Sequence, residues 1–331
     1  MQNFKKIIFL LSSRERKLSV ILFFLLLIMA LLEMIGVASI LPFIAVLSNP
    51  DLIETNKILN FLYKNSKIIG VNNNQEFLFT LGIMVFLLLI LSLSFRALTT
   101  YAAYKFVQMR EFSISRRLVI TYLRQPYEWF LNRNSSELGK SVLSEVGEVV
   151  GMGLKPMIDL VARIMIAIAI LFLLIVVDPK LAFFVGLTIG AAYGIIYKFA
   201  KKYLQKIGSE RLKSNELRYN TVMEAFGAAK EIKLTGLENA YIQKYTEPAN
   251  KYAKSQALQV VISDLPRYAL EAIAFGGILL IIVYLISQNG SFNSALPIIS
   301  LYVFAGYRLM PAIQRIYSNY SKITYITPAL D

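Results

Sequence analysis

Of the 331 residues, 35 are Lys or Arg and 21 are Asp or Glu, giving a net charge of +14, and neither His nor Cys occurs. Hydrophobic residues make up 56% and charged residues 17%, against about 25% charged in a soluble domain, so a soluble surface is excluded. Disulfides, thiolate metal sites, Cys nucleophiles and all imidazole chemistry are excluded with the missing residues, which leaves a basic membrane protein working with Arg, Lys, Glu, Asp and hydroxyls.

In chain order, Lys5 and Lys6 precede a short apolar run, and Arg14, Glu15, Arg16 and Lys17 come after it. A signal peptide would show small residues and a cleavage site there, so residues 1–17 read as an interfacial elbow helix. A hydrocarbon core of roughly 30 Å takes about 20 helical residues. Six stretches meet or approach that length: 18–47, 77–93, 157–177, 181–199, 268–286 and 295–310. Between the first two lies an outer loop, 48–76, where Ile53, Ile58, Leu59, Leu62 and Tyr63 predict a short amphipathic surface helix.

The N-terminus and two long connections are basic. The first connection carries Lys105, Arg110, Arg116, Arg117, Arg124, Arg133 and Lys140; the second carries Lys198, Lys201, Lys202, Lys206, Arg211, Lys213, Arg218, Lys230 and Lys233. The positive-inside rule puts these segments, and both termini, in the cytoplasm. Neither connection is rich in Pro, Gly or Ser, and both keep helical periodicity, so the spans are expected to continue as cytoplasmic stalks. Pro126 disfavours helix at the residue before it, placing the first turn near 125–134, and weakening periodicity places the second near 210–220. Tyr127, Glu128, Trp129 and Phe130 at the first tip, and Leu217 and Arg218 at the second, are candidate docking residues. Packing of Tyr127, Trp129 and Phe130 between the two stalks is the open alternative.

Asn134-Ser135-Ser136-Glu137-Leu138-Gly139-Lys140-Ser141 ends like a phosphate loop, but it opens on Asn and has no strand before it; it reads as chance. Gly186, Gly190 and Gly194 form a stripe that lets another backbone approach. Pro42, Pro266 and Pro311 each interrupt a span.

Ionisable residues inside a membrane are functional hypotheses by default. Arg96 lies about 30 Å from the outer start of its span, Arg267 about as far, and Arg308 about 23 Å, which puts all three at inner-leaflet depth. Guanidinium groups bind phosphate oxygens through paired donors and keep their charge. Against this, Asp264, Arg267 and Glu271 share one helix face and can neutralise one another. Arg315 reads as interfacial or structural, and Asp159 with Arg163 as a self-paired bridge. Glu33, deep in the first span, needs an Arg or hydroxyl partner on a neighbouring span.

The whole chain resembles the transmembrane domain of an ATP-binding-cassette exporter of the type IV fold. The resemblance is sharpened by Glu33 with Ala38-Ser39-Ile40-Leu41-Pro42-Phe43-Ile44, by Phe95-Arg96-Ala97-Leu98, by Leu265-Pro266-Arg267-Tyr268-Ala269-Leu270-Glu271, and by Tyr307-Arg308-Leu309-Met310-Pro311-Ala312-Ile313-Gln314-Arg315-Ile316. These segments look like the lipid-linked oligosaccharide flippases of bacterial protein glycosylation (PglK-like). The resemblance implies an all-α membrane protein: residues 18–327 form a six-helix domain with long cytoplasmic extensions, swapped into a homodimer. It implies substrate binding by Arg96, Arg267 and Arg308, an external helix in the outer loop, and ATP-driven transfer of a polyprenyl-pyrophosphate-linked oligosaccharide or similar anionic lipid across a bacterial inner membrane. The nucleotide-binding domain normally comes after the sixth span. It is expected outside this chain, fused or separate, with ATP and Mg bound there; no cofactor, metal or nucleic acid is expected on the chain itself. Export of peptides, drugs or phospholipids is the alternative, and a membrane-embedded glycosyl- or phosphotransferase is the alternative of another class.

Overall fold

The computed structural model describes residues 11–66, 73–131, 133–268 and 292–330, together with a few isolated positions. Most of the expected elbow, and the expected span at 268–286, lie outside them. Among the described residues the chain is helical, with no strand.

The first rod is α1, Ser13–Ala38, continued by α2, Ile40–Ser48. The helix begins five residues earlier than the apolar run, because Ser12 and Glu15 close a capping box: the Glu15 amide donates to Ser12 Oγ, and the Ser12 amide donates to the Glu15 carboxylate at 2.7 Å. The break at Ser39 has its cause in Pro42, which has no N–H to offer the Ala38 carbonyl. Two short helices come next on the outer loop, α3 (Leu52–Thr55) and α4 (Lys57–Ser66). They bury Ile53 and Leu59 against Val46, Phe77 and Leu81, so the expected surface helix exists but is split at Asn56.

Beyond the loop are α5, Asn74–Leu123, with 50 residues, and the small helices α6 (Tyr127–Leu131) and α7 (Ser135–Lys140). At 1.5 Å per residue α5 is about 75 Å long, more than twice the hydrocarbon thickness. The returning rod passes through a π-turn at Ser141–Glu145, α8 (Val146–Val149), a second π-turn at Val150–Leu154 and α9 (Lys155–Val177). The last elements are α10 (Pro179–Gly227), α11 (Ala229–Thr235), α12 (Glu238–Asp264) and α13 (Phe292–Leu330). Pro266 lies just past the end of α12, whereas α13 runs through Pro311 unbroken.

Three of these rods, Ser13–Ser48, Asn74–Leu123 and Ser135–Val177, are long and apolar enough to cross a membrane. Stretches 181–199 and 295–310 lie inside α10 and α13. The core joins α1, α9 and α13. Ala162, Ile166, Ile170 and Leu174 form a stripe at helical spacing facing Leu301, Ala305, Leu309 and Ala312, with Leu22, Leu26, Met29 and Ala30 closing the third side. The opposite faces of α1 and α5 expose Val20, Phe24, Leu31, Phe86, Leu87 and Leu91, a surface for lipid rather than water.

Helices α1 and α5 run antiparallel in one register. Glu15 meets Arg110 at 3.0 Å, Glu33 meets Arg96 at 3.3 Å, and Gly36 lies against Leu89 and Ser92. Since α1 begins opposite Arg110 and Arg117, the end of α5 runs on beyond it as a stalk, packed through Ile114 on Val146 and Val150 of the returning rod. Helices α10 and α12 pack as a second antiparallel pair, with Lys244 bonded to Glu224 and Arg218 over the Tyr252 ring at 4.0 Å.

Candidate functional site

Glu33 is 2% exposed on α1, and two guanidinium groups from two other helices converge on it. Arg96 on α5 lies 3.3 Å from Oε1, and Arg308 on α13 lies 4.0 Å from Oε2. These are the partners its burial demands, because a lone carboxylate at that depth would cost several kcal/mol. Oε1 still accepts no well-aligned hydrogen bond. Together the two guanidinium groups carry ten donors, more than the roughly four lone-pair sites of one carboxylate can take.

Beside this triad a cavity of about 120 Å³ opens between α1, α5, α9 and α13, far above the ~10–15 Å³ that admits one water. Arg96, Lys155, Arg163 and Arg315 line it with Asp159, among the hydroxyls of Thr99, Thr100 and Tyr104. Four cations thus line it with one carboxylate, while Glu33 beside it pairs with Arg96. Lys155 sits 4.6 Å over the Tyr104 ring, which fixes its ammonium group without cancelling its charge. Toward the end of α13, Lys322 extends the basic surface. Burial, and then the neighbouring Arg315, hold its pKa below the usual lysine value.

The three arginines singled out in the sequence therefore part company. Arg96 and Arg308 share one carboxylate. Arg267 stands apart, its side chain 60% exposed and bonded to Glu271 at 2.7 Å, the local neutralisation that the shared helix face allowed. Sequence reasoning missed Lys155, and it placed Arg163 and Arg315 in structural roles, whereas both line the cavity. The signal for Arg163 was present in its position inside an apolar span, but Asp159 one turn away masked it.

The family model of the ABC transporter transmembrane region matches residues 18–311. The chain belongs to that family. ABC transmembrane domains generally form dimers and pair with nucleotide-binding domains, so the ends of the stalks are the second place to look for function in this ABC transporter domain.

At the first tip Gln125 closes a turn onto Tyr122 before Pro126. Tyr127 and Glu128 point outward, Tyr127 being 77% exposed. Trp129 instead stacks on Tyr122 with ring centres 5.6 Å apart, while Phe130 meets its edge and Arg133 covers it at 4.9 Å. The quartet thus divides into an outward pair and a packing pair. Asn134 caps α7 by accepting from the Ser136 amide at 2.9 Å, and Lys140 is buried 3.8 Å from Glu216. The loop-like Gly-Lys-Ser ending is helix, with its lysine committed to another stalk.

The second tip differs from its predicted place. No turn occurs at 210–220, where α10 is continuous. The chain reverses through Ala228, α11 and Gly236, whose φ of 69° is a left-handed conformation suited to glycine. Leu217 is half-exposed along the stalk, and Arg218 is occupied by the Asn215 side chain at 2.6 Å and by Tyr252. The most exposed apolar residues at the actual tip are Phe226 and Leu234, with Leu237 half-exposed beside them.

Proposed function

We propose that this chain is the membrane domain of an ATP-driven exporter or flippase that carries an anionic lipid, and that the cavity beside Glu33 receives the lipid's phosphate. The observation that carries this reading is the charge count: Arg96, Lys155, Arg163 and Arg315 line one partly enclosed space with Asp159, and even with Glu33 paired to Arg96 beside it, four cations stand against two carboxylates. Buried charge is tolerated when paired, and a phosphate or pyrophosphate satisfies several guanidinium donors at once. Lys155 and Arg315 flank the apolar parts of α9 and α13, which supports a cavity that reaches headgroup depth. A polyprenyl tail stays in lipid along the apolar outer faces while the charged head crosses between helices.

The fuller arrangement belongs to the same proposal. Six spans with cytoplasmic termini accord with the apolar stretches and the basic connections, and a homodimer in a bacterial inner membrane accords with the resemblance. Two observations support a second copy. Arg267 faces outward, and the stripe Gly186, Gly190 and Gly194 has no neighbour within 4 Å among the described residues, so both suit contact with a partner. Tyr127 and Glu128, with Phe226 and Leu234, are the surfaces offered to a nucleotide-binding domain. That domain would hold ATP and Mg and drive closure of the stalks. The preferred substrate is a polyprenyl-pyrophosphate-linked oligosaccharide.

The test is ATP-dependent translocation in proteoliposomes by the complete transporter, with a fluorescent polyprenyl pyrophosphate compared with a phosphatidylcholine analogue. Arg96→Ala/Arg308→Ala should lower pyrophosphate-lipid transport at least tenfold. Unchanged transport of that lipid would assign the cavity to peptides or drugs instead.

A further inference from the structure

Three helices, α1, α5 and α13, are tied at one point by Glu33. Its carboxylate is the anion that Arg96 and Arg308 hold in common, yet neither pairing is tight: 3.3 Å to one, 4.0 Å to the other, and Oε1 without a well-aligned donor. A carboxylate built for stability alone would sit in a bidentate fork with its lone pairs filled. The Arg96 side chain is 35% exposed and also lines the neighbouring cavity, so one guanidinium belongs both to Glu33 and to the space where a phosphate would lie.

We propose that Glu33 is a resident competitor for the substrate's phosphate, and that the exchange of Arg96 and Arg308 from carboxylate to phosphate unpins α1 from α5 and α13. This rests on the anionic-lipid reading above and adds to it a positioning residue and a sequence of events. Before substrate enters, the carboxylate keeps the two arginines ordered and aimed inward. A doubly charged phosphate offers both guanidiniums a stronger acceptor set than a single carboxylate. Once they turn to it, Glu33 loses its partners, and the antiparallel contact that continues through Gly36 and Ser92 is weakened. Substrate binding and helix separation become one equilibrium. By linkage, whatever holds the helices together must lower substrate affinity by the same factor.

The test uses the complete transporter in detergent, with farnesyl pyrophosphate as probe and farnesol as control. This chain contributes no native Cys, so with any Cys of the nucleotide-binding domain replaced by Ser, cysteines at exposed Leu31 and Leu93 carry one pair of spin labels per copy for the α1–α5 distance. In Glu33→Gln, which keeps the shape and removes the competing charge, farnesyl pyrophosphate should bind five- to tenfold more tightly, and the label distance should already match the probe-bound wild type. Glu33→Asp shortens the reach to Arg308 and should give a two- to threefold gain, which keeps the test open if the glutamine variant fails to fold. Unchanged or weaker binding in both variants, with Arg96→Ala and Arg308→Ala still impaired, would overturn the competitor role and leave the substrate reading intact. Arginine variants that bind like wild type would overturn the substrate reading itself.

Discussion

Arg211 on the α10 stalk lies 3.3 Å from Glu145, at the end of the first π-turn below α9, and the guanidinium is 1% exposed. Glu148 stands 3.6 Å away on its other side, Asn215 donates to Glu145 at 2.8 Å, and Tyr252 on α12 donates to Glu148 at 3.2 Å. Each π-turn inserts a residue and rotates the next turns of the helix about its axis, which brings both carboxylates onto the face that meets α10. Three stalks thus meet around one buried cation.

Removing that cation leaves two carboxylates facing each other in the packed stalk. Arg211→Met should destabilise the chain by about 3–5 kcal/mol, the usual cost of breaking a buried pair from one side. Denaturation of purified protein in detergent measures it. A loss under about 1 kcal/mol would mean that water reaches the site and that the pairs are worth no more than surface ones.

Packed helices ordinarily keep their axes about 8–10 Å apart, but α10 and α13 approach closely where Gly208 faces the backbone of Tyr325. A Cβ on Gly208 would collide with the Tyr325 carbonyl oxygen, which cannot swing aside as a side chain would. Gly208→Ala should therefore cost about 1–3 kcal/mol through overpacking, read as a lowered midpoint in the same denaturation. The outer glycines of α10 serve as controls: Gly186→Ala meets open space among the described residues and should stay within about 0.5 kcal/mol in the isolated chain.

Lys322 gives the stability a pH slope of known sign. Burial, with Arg315 next in weight, lowers its pKa in the folded protein, so between that value and the ordinary lysine value the unfolded chain binds more protons. Stability contributed by this group must rise with pH across that window and level off above it. Relative to wild type, Lys322→Met should be more stable at neutral pH, with the difference shrinking as pH approaches the lysine range. A difference that grows with pH would contradict the assignment.

The first stalk was legible in the sequence because its signals were backbone signals: Pro126 stops α5 wherever it lies, and the apolar and basic residues along 96–124 alternate with the period of the helix. The second was misread at its tip because its signals were tertiary. Ser214 and Asn215 are buried beside Arg211, so the inner face of α10 is polar there, and the hydrophobic pattern fades in the middle of a continuous helix. The true turn carries no Pro and is marked by Gly227 and Gly236 alone. The same logic holds for the site. Glu33 in an apolar span announced a need for a partner, but which arginines answer it depends on helix register, which no local pattern records. Arg163 and Arg315 looked self-sufficient or peripheral until α9 and α13 placed them around one cavity.

The relocated tip separates two sets of residues for coupling. In the complete transporter, Leu234→Asp and Tyr127→Asp should reduce ATP-driven transport several-fold while leaving the helical content unchanged, since both side chains are largely exposed. Leu217→Asp, along the stalk, should have less effect. Substrate-stimulated ATPase activity, measured beside circular dichroism, distinguishes these, and a larger defect at Leu217 than at Leu234 would return the docking surface to the middle of α10.

The most direct measurement is native mass spectrometry of the purified transporter after exposure to equal amounts of phosphatidylcholine and a polyprenyl phosphate. A cavity where four cations outnumber Asp159 and the neighbouring Glu33 should retain the polyprenyl phosphate preferentially, and Arg96→Ala/Arg315→Ala should abolish the preference without loss of the folded assembly. Equal retention of the two lipids by the wild type, or a preference that survives the double substitution, would contradict an anion site at this place.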